Sequence, residues 1–406
     1  MSKTRLVQYE QAVERGYDYR RAMEEAARCL LCYDAPCSQA CPASTDPAKF
    51  IRSLRFKNIY GGVETIRRNN PFGATCAEIC PCENLCEEAC SRSGIDKPIN
   101  IGKLQKFLME QEKVNNMEFT LPVARQDKSV ACIGAGPASL SCARELAQRG
   151  YGVTVFEGME KPGGMLSYGI PPFRLPQAVV DADIKAIEKA GVKIICNRTI
   201  SAEELTSLQD NYEAIFVGVG LNKAKMLDIP GYNLGGVMSA LEFLRRAKTG
   251  TLPFLDKSNV VVIGGGDVAM DCAATAKAVG AKATIVYRRT REEAPATGEE
   301  MDLVMQMGIP VITEFVPVKF LGDKDRVTGF KAQGRDGSSQ LTLQADYIIV
   351  AIGQEVAPEF STLKHKPGIY MGGDMTADSG HTVVDAVAAG KRAAEEIVKF
   401  LEGGSK

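Results

Sequence analysis

Residues 129–157 read SVACIGAGPASLSCARELAQRGYGVTVFE, and this stretch decides the fold. An apolar run enters Gly134-Ala135-Gly136, helix-forming residues follow from Pro137 to Arg149, and a second apolar run, VTVFE, ends at Glu157. That succession is a βαβ unit of a parallel sheet. Gly134 permits the tight turn, and Gly136 lets backbone approach a pyrophosphate at the helix N-terminus. Glu157 places a carboxylate where ribose hydroxyls would lie. Ser139 stands in for the third glycine of the G-x-G-x-x-G fingerprint, a small residue in place of a smaller one.

The same texture restarts at NVVVIGGGDVAMDCAATAKAVGAKATIVYRRTREE, residues 259–293. Gly264, Gly266 and Ala269 take the fingerprint positions, Asp267 sits at the helix start, and the helix is expected over Val268–Val279. At the place corresponding to Glu157 the reading puts Arg288, followed by Arg289 and, after Thr290, Arg291. Guanidinium in place of an acid removes repulsion toward a 2′-phosphate and supplies bidentate donors, which leans toward NADP(H) over NAD(H). The plainer alternative is a solvated basic strand end, and Glu292 and Glu293 follow closely.

Two dinucleotide sites suggest a flavin and a nicotinamide held face to face, the flavin accepting hydride and releasing single electrons. Hydride transfer needs alignment more than a general acid. The two histidines, His365 and His381, are accordingly read as non-catalytic, and no catalytic acid or base is assigned. Gly163-Gly164 within EGMEKPGGMLSYGIPPFRLP, and Asp374 within GIYMGGDMTADSGHT, are candidate flavin contacts. The helix after Thr382 would aim its N-terminus at the cofactor. A simple turn is the plainer reading of Asp374.

The chain has 406 residues, 45% of them hydrophobic, and a formal net charge of -1, so it has core for two or three domains and no basic surface for nucleic acid. The N-terminal sequence is charged and lacks an apolar h-region, and no run nears the roughly 18 apolar residues of a membrane span. A cytoplasmic protein is expected. There the thirteen cysteines point to metal or redox chemistry rather than disulfides.

Nine of the thirteen precede residue 91, in a region with helical patterns over Arg21–Leu31, after Asp46-Pro47, and over about 62–68. CLLCYDAPCSQACP carries Cys29, Cys32, Cys37 and Cys41; TCAEICPCENLCEEAC carries Cys76, Cys80, Cys82, Cys86 and Cys90. Each group contains a Cys-Pro, and a terminal Cys-Pro in the bacterial ferredoxin pattern ligates the other of two clusters, so exchange between the groups is expected. Structural zinc is the alternative, but only Cys29/Cys32 has the C-x2-C knuckle spacing. Nine cysteines exceed the eight that two [4Fe-4S] clusters use, so at least one is a spectator.

The stretches RCLLCYDAPCSQACPASTDPAKFIRS, PINIGKLQKF and TVVDAVAAGKRAA, together with both glycine motifs, resemble the glutamate synthase small-subunit-like FAD/Fe–S oxidoreductases. Within them the chain looks like the PreT-type electron-input subunit of NAD(P)-dependent dihydropyrimidine dehydrogenase. The resemblance implies an α/β protein: an N-terminal α-helical Fe–S domain (1–115) and two Rossmann-like domains, with NAD(P) (239–354) inserted in FAD (116–238 and 355–406). It implies that Cys29, Cys32, Cys37 and Cys90 hold one [4Fe-4S] cluster and Cys41, Cys80, Cys86 and Gln105 the other, leaving Cys76 and Cys82 as spectators. Its FAD contacts fall on Gly134, Gly136, Ala138, Glu157, Gly164, Arg174, Asp374 and Thr382. Its nicotinamide contacts fall on Gly264, Gly266, Asp267, Ala269, Arg288, Arg289 and Gly353, with Arg291 as a substitute for a third arginine.

Bacterial subunits of this branch are NADH-dependent, against the arginine reading. The resemblance further implies a separate PreA-type FMN/Fe–S catalytic subunit, because an FMN-binding barrel alone takes about 250 residues. The alternatives inside the family are glutamate synthase or ferredoxin-linked transhydrogenase service. A disulfide reductase is disfavoured, since Cys132, Cys142, Cys196 and Cys272 form no close pair in sequence. A zinc-stabilised nucleotide-binding scaffold is the alternative of a different class.

Overall fold

The computed structural model describes residues 16–119, 123–253, 255–296, 298–361, 363, 366–376 and 380–403; His365 lies outside the described residues. The chain opens with helices α1 (Tyr19–Ala27), α2 (Pro36–Gln39), α3 (Pro47–Arg55), α4 (Ile59–Asn69), α5 (Gly73–Ile79) and α6 (Ile101–Val114). Asp46 caps α3 by accepting from the Lys49 N–H, with Pro47 at the first helical position where its missing N–H costs nothing. Expected to run to Leu31, α1 stops at Ala27. Arg28 is its C-cap, and beyond it Leu31 has φ 54°, a left-handed conformation no continuing helix adopts. The next expected helix, 62–68, begins earlier, at Ile59, because Asn58 accepts from the Gly61 N–H. Phe50, Ile51 and Leu54 of α3, Val63 and Ile66 of α4, and Leu104, Phe107 and Leu108 of α6 form one buried cluster, three apolar helix faces turned inward.

Then come β1 (Ser129–Ile133), α7 (Pro137–Ala147), β2 (Gly152–Phe156), α8 (Gln177–Lys189), β3 (Val192–Ile195) and β4 (Ala214–Val217). A second stretch holds β5 (Lys223–Ala224), β6 (Val237–Ser239), α9 (Ala240–Lys248), β7 (Asn259–Ile263), α10 (Asp267–Ala278), β8 (Lys282–Val286) and α11 (Gly298–Gln306). It continues through β9 (Val311–Ile312), β10 (Phe315–Asp323), β11 (Arg326–Gly334), β12 (Gln340–Gln344), β13 (Tyr347–Val350) and β14 (Gln354–Glu355). The chain closes with β15 (Ile369–Met371) and α12 (Val383–Leu401).

Two parallel five-stranded sheets result, ordered β15-β4-β1-β2-β3 and β6-β13-β7-β8-β9, and β10-β11-β12 forms an antiparallel sheet. In each parallel sheet the first strand of the glycine motif lies between its βαβ partner and a later strand. The glycine turn thus opens at the switch point where ligands bind in doubly wound sheets. The described residues divide into two compact units. One is Leu221–Glu355 with Tyr168–Phe173; the other takes the described parts of Glu14–Ser167, Arg174–Gly220 and Val356–Lys406.

In the second of these units the cluster helices are fastened to the β1–β4 sheet by one buried carboxylate. Asp183 on α8, with no exposed surface, accepts from Arg67 Nη1 at 2.5 Å and from the N–H and Oγ1 of Thr75, both at 2.8 Å. Arg67 also grips Glu112 with Nε and Nη2, both at 2.6 Å. Asp183→Ala leaves a buried guanidinium and a buried N–H short of an acceptor, and removing one partner of such a pair costs about 3–5 kcal/mol. The expected outcome is a large drop in the urea midpoint at unchanged slope, with Asp183→Asn, which keeps an oxygen for Thr75, intermediate.

Candidate functional site

Four of the cysteines line one pocket: Cys29, Cys32, Cys37 and Cys90 face it together with Leu30, Pro36, Ile51, Ile99 and Ile101. The left-handed turn at Leu31 and the short helix α2 carry the first three around its rim, and Cys90 enters from the second cysteine group. Burial pushes the Cys37 thiol up to about 11, with Cys90, Cys29 and Cys86 as the charged neighbours that add to it. Burial likewise raises Cys29. The Cys90 sulfur accepts from the Ile99 N–H at 3.5 Å, and Arg55 Nη1 donates to the Cys29 carbonyl at 2.7 Å. Among the described residues no three Cys, His, Asp or Glu side chains converge on a single-ion site.

The second group gathers Cys41, Cys76, Cys80, Cys82 and Cys86. Cys41 is tied to the 76–86 segment through Thr45, whose hydroxyl accepts from Asn70 Nδ2 at 3.2 Å, Asn70 being also the donor to Cys76. The Cys41 sulfur is held by Thr45, whose N–H donates to it at 3.4 Å and whose hydroxyl is 3.3 Å away. Gln105 is buried, and its Nε2 donates to the Gly73 carbonyl at 2.8 Å, which leaves Oε1 as the free acceptor end. Cys82 lies beside both Cys80 and Cys86, among the residues that the resemblance makes ligands rather than apart from them. Cys76 is fully enclosed, pushed up to about 12 by burial, and its sulfur accepts from Asn70 Nδ2 at 3.4 Å.

The first glycine turn collects the residues singled out around it. Gly134 has φ 86°, and a Cβ there would lie 2.8 Å from the Gly218 carbonyl oxygen. Glu157 accepts from the Ala135 N–H at 2.7 Å and from the Met159 N–H at 2.8 Å, tying the turn to the end of β2. Gly164 lies against Gly136, and Gly373 against Ala138. Asp374 is the residue after Gly373, and its Oδ1 is buried without a hydrogen-bond partner. Burial raises its pKa, opposed by His381 and reinforced by Asp385. His381 itself is exposed. Thr382 caps α12, accepting from the Asp385 N–H at 3.3 Å and donating to Asp385 Oδ2 at 2.5 Å. Arg174 is half-buried and engaged. An orphaned buried carboxylate oxygen beside a glycine turn and a capped helix N-terminus suits the hydroxyl-rich polar chain of a dinucleotide.

The second turn is built the same way in the other unit. A Cβ on Gly264 would lie 2.2 Å from the Ala351 carbonyl oxygen, Asp267 and Ala269 open α10, and Gly353 is exposed with φ 115°. Strand registers correct one sequence reading: Ile133 pairs with Phe156 and Ile263 with Val286, so the place of Glu157 belongs to Tyr287, not Arg288. Both βαβ units have the same length, and Tyr287 fills the place with a ring packed on Gly265 and a hydroxyl donating to the Glu293 carbonyl at 2.9 Å. Arg288 and Arg289, next along, are exposed. The acids that follow are committed elsewhere, Glu293 to Arg335 at 3.0 Å and to the Thr290 N–H at 3.0 Å. Arg291 points toward Asp302 at 3.7 Å. Sequence reasoning missed Thr45, Asn70 and Tyr287; only Tyr287 had a signal, the residue count from Gly264.

Residues 6–117 match the family model described as dihydropyrimidine dehydrogenase domain II, 4Fe-4S cluster, and residues 128–390 that of pyridine nucleotide-disulphide oxidoreductases. The NAD-dependent dihydropyrimidine dehydrogenase subunit PreT of Escherichia coli K12 is 43% identical over 94% of this chain and 95% of that protein. The NADP(+)-dependent formate dehydrogenase subunit beta of Moorella thermoacetica is 31% identical over 91% of this chain and 60% of its own length. Among solved structures, Mycobacterium tuberculosis FprA in complex with NADPH is similar in fold, with a TM-score of 0.59 at 18% identity over 69% of this chain and 86% of FprA.

Proposed function

The chain belongs to the family of the PreT subunit of NAD-dependent dihydropyrimidine dehydrogenase, and from that premise we propose that it is the electron-input subunit of such an enzyme. It is an oxidoreductase. In this reading it oxidises NAD(P)H, binds FAD and two [4Fe-4S] clusters, and delivers electrons to a separate PreA-type FMN subunit that interconverts uracil or thymine and their 5,6-dihydro forms. A cytoplasmic location fits, and no helix among the described residues is long and apolar enough to cross a membrane. The observation that carries the reading is where the cysteines lie: Cys90 lines the same pocket as Cys29, Cys32 and Cys37, while Cys41 is linked through Thr45 and Asn70 to Cys76.

When bound, flavin converts a hydride into single electrons and iron–sulfur clusters carry them onward one at a time. The residues of the chain hold and orient. Gly134, Gly136, Ala138 and Gly164 shape the turn that would take the FAD pyrophosphate, Glu157 would take ribose hydroxyls, and Arg174, Asp374 and Thr382 would face the rest of the cofactor. Gly264, Gly266, Asp267, Ala269 and Gly353 would hold the nicotinamide dinucleotide, with Arg288 and Arg289 at its 2′ position. Gln105 would complete the second cluster through Oε1, a neutral ligand that makes that cluster less negative. No side chain is required as an acid or base for hydride transfer. The proposed domains are 1–115 for the clusters, 116–238 with 355–406 for FAD, and 239–354 for NAD(P)H, although residues 221–238 group with the nicotinamide unit in the structure.

Anaerobic titration of the purified chain with NADH should bleach flavin and then clusters, and uracil-dependent NAD(P)H oxidation should appear only when the FMN subunit is added. Absence of uracil dependence with a competent partner overturns the pyrimidine assignment and favours glutamate synthase or ferredoxin-linked transhydrogenase service. Cys32→Ser is expected to remove about four of about eight irons per chain, and Cys76→Ser none. Zinc in place of iron would support the scaffold reading instead. The exposed arginine pair supports use of NADPH: Arg288→Ser with Arg289→Ser should lower kcat/KM for NADPH about tenfold, near 1.4 kcal/mol, and leave NADH unchanged.

A further inference from the structure

The glycine-turn helices reach into the second cysteine group through two cations. Lys391 lies in the middle of α12, one residue after Gly390, where a Cβ would lie 2.1 Å from the Ala138 carbonyl oxygen. The helix that begins at Thr382 therefore presses on the glycine-turn helix α7 immediately beside this lysine. From there Lys391 Nζ donates to the Ala43 carbonyl at 2.7 Å and the Asn69 carbonyl at 2.8 Å. Arg144 of α7 donates to the Arg68 carbonyl at 3.0 Å and to the Arg67 carbonyl. Three successive carbonyls at the C-terminus of α4 are thus covered by cations, the charge sign that end of a helix favours.

Lys391 differs from Arg144 in also holding Ala43, two residues after Cys41. The loop it grips continues to Thr45, which bonds the Cys41 sulfur, and Thr45 Oγ1 accepts from Asn70 Nδ2 at 3.2 Å. Asn70, directly after the second carbonyl that Lys391 holds, is the donor to Cys76. One ammonium accordingly fixes both backbone segments that position Thr45 and Asn70. Burial pulls its pKa down; Glu145 pulls it up, Arg144 down, and Cys41 up.

We propose that Lys391 is a positioning residue whose charge and two carbonyl bonds favour electron entry into the cluster held by Cys41. This rests on the ligand assignment proposed above. A fixed positive charge near a cluster stabilises the added electron, and hydrogen bonds toward cluster sulfurs act in the same direction. Lys391 would therefore make this centre easier to reduce without touching flavin or cluster itself.

The test is an EPR-monitored redox titration of the loaded full-length chain and its Lys391→Met and Lys391→Arg variants, with iron and flavin counted in each. Two cluster signals and about eight irons in the parent chain check the ligand reading on their own; fewer clusters would mean that reading has failed, whatever Lys391 does. Given both clusters, Lys391→Met should lower the reduced-to-oxidised ratio of the Cys41 cluster about tenfold at fixed potential, equivalent to 59 mV for one electron. The other cluster should hold its value, and Lys391→Arg should stay near the parent. No shift in Lys391→Met, an equal shift in both clusters, or an equal shift in Lys391→Arg overturns the proposal. Should Lys391→Met lose the cluster, Lys391→Gln is read by the same criteria, and its keeping the parent potential, or losing the cluster while Lys391→Arg loses it too, also overturns it.

Discussion

The guanidinium of Arg67 has almost no contact with water, and it is the buried ion-pair centre that joins the cysteine-bearing helices to the dinucleotide sheet. Four of its hydrogen bonds go to the Glu112 carboxylate of α6, the Asp183 carboxylate of α8 and the Pro71 carbonyl. The two carboxylates come from opposite sides: Glu112 from the helical region, Asp183 from the dinucleotide sheet's own helix. Neither acid alone would offset the desolvation of the cation, and the cation alone could not draw in both acids. Arg67 therefore sits where apolar packing would have given adhesion without direction. Guanidinium geometry is what fixes the angle.

With that angle fixed, the second cysteine group is held from its back by ordinary hydrogen bonds. Thr75, whose N–H and hydroxyl both end on Asp183, immediately precedes Cys76. Asn70 and Thr45 then pass the constraint to Cys76 and Cys41. The first group, in contrast, is shaped from its own loop by the left-handed residue Leu31 and by Pro36, with a wall of Ile51, Ile99 and Ile101. One cysteine group is anchored to the dinucleotide sheet and the other to the helical core. In the proposed ligand assignment Cys41 and Cys90 cross between them and would tie these two anchorages together.

Much of this was legible in the sequence because it is local. Gly134 and Gly264 announce turns that only glycine makes without collision, the apolar runs beside them announce strands, and two dense cysteine groups announce a redox module. Asp46-Pro47 gave a helix start to the residue. Errors of extent came where a single backbone torsion decided the matter, as at Leu31, which no propensity marks. Arg288 was placed one residue too early in the comparison because its charge drew attention from Tyr287, which holds the position by packing. Asp183, Arg67 and Lys391 were illegible for a different reason. Asp183 meets Arg67 across 116 residues and Lys391 meets Ala43 across 348, and a charged residue on a helix reads as solvated surface until the fold shows it buried.

The two βαβ units share length, register and turn, yet their strand ends differ in a way that separates their roles. Glu157 folds back on its own glycine turn, so its carboxylate is held in place by backbone donors and, in the proposed reading, would present fixed acceptors to a neutral ribose. Tyr287 turns its hydroxyl away to the Glu293 carbonyl, and the charge at this end falls to Arg288 and Arg289, which carry no such restraint. A preorganised acceptor suits a cofactor that stays, since its ordering cost is met once on folding. Exposed donors suit one that must leave after each hydride, because ordering them on binding costs entropy that favours release. In the proposed reading the same scaffold provides one resident site and one exchangeable site.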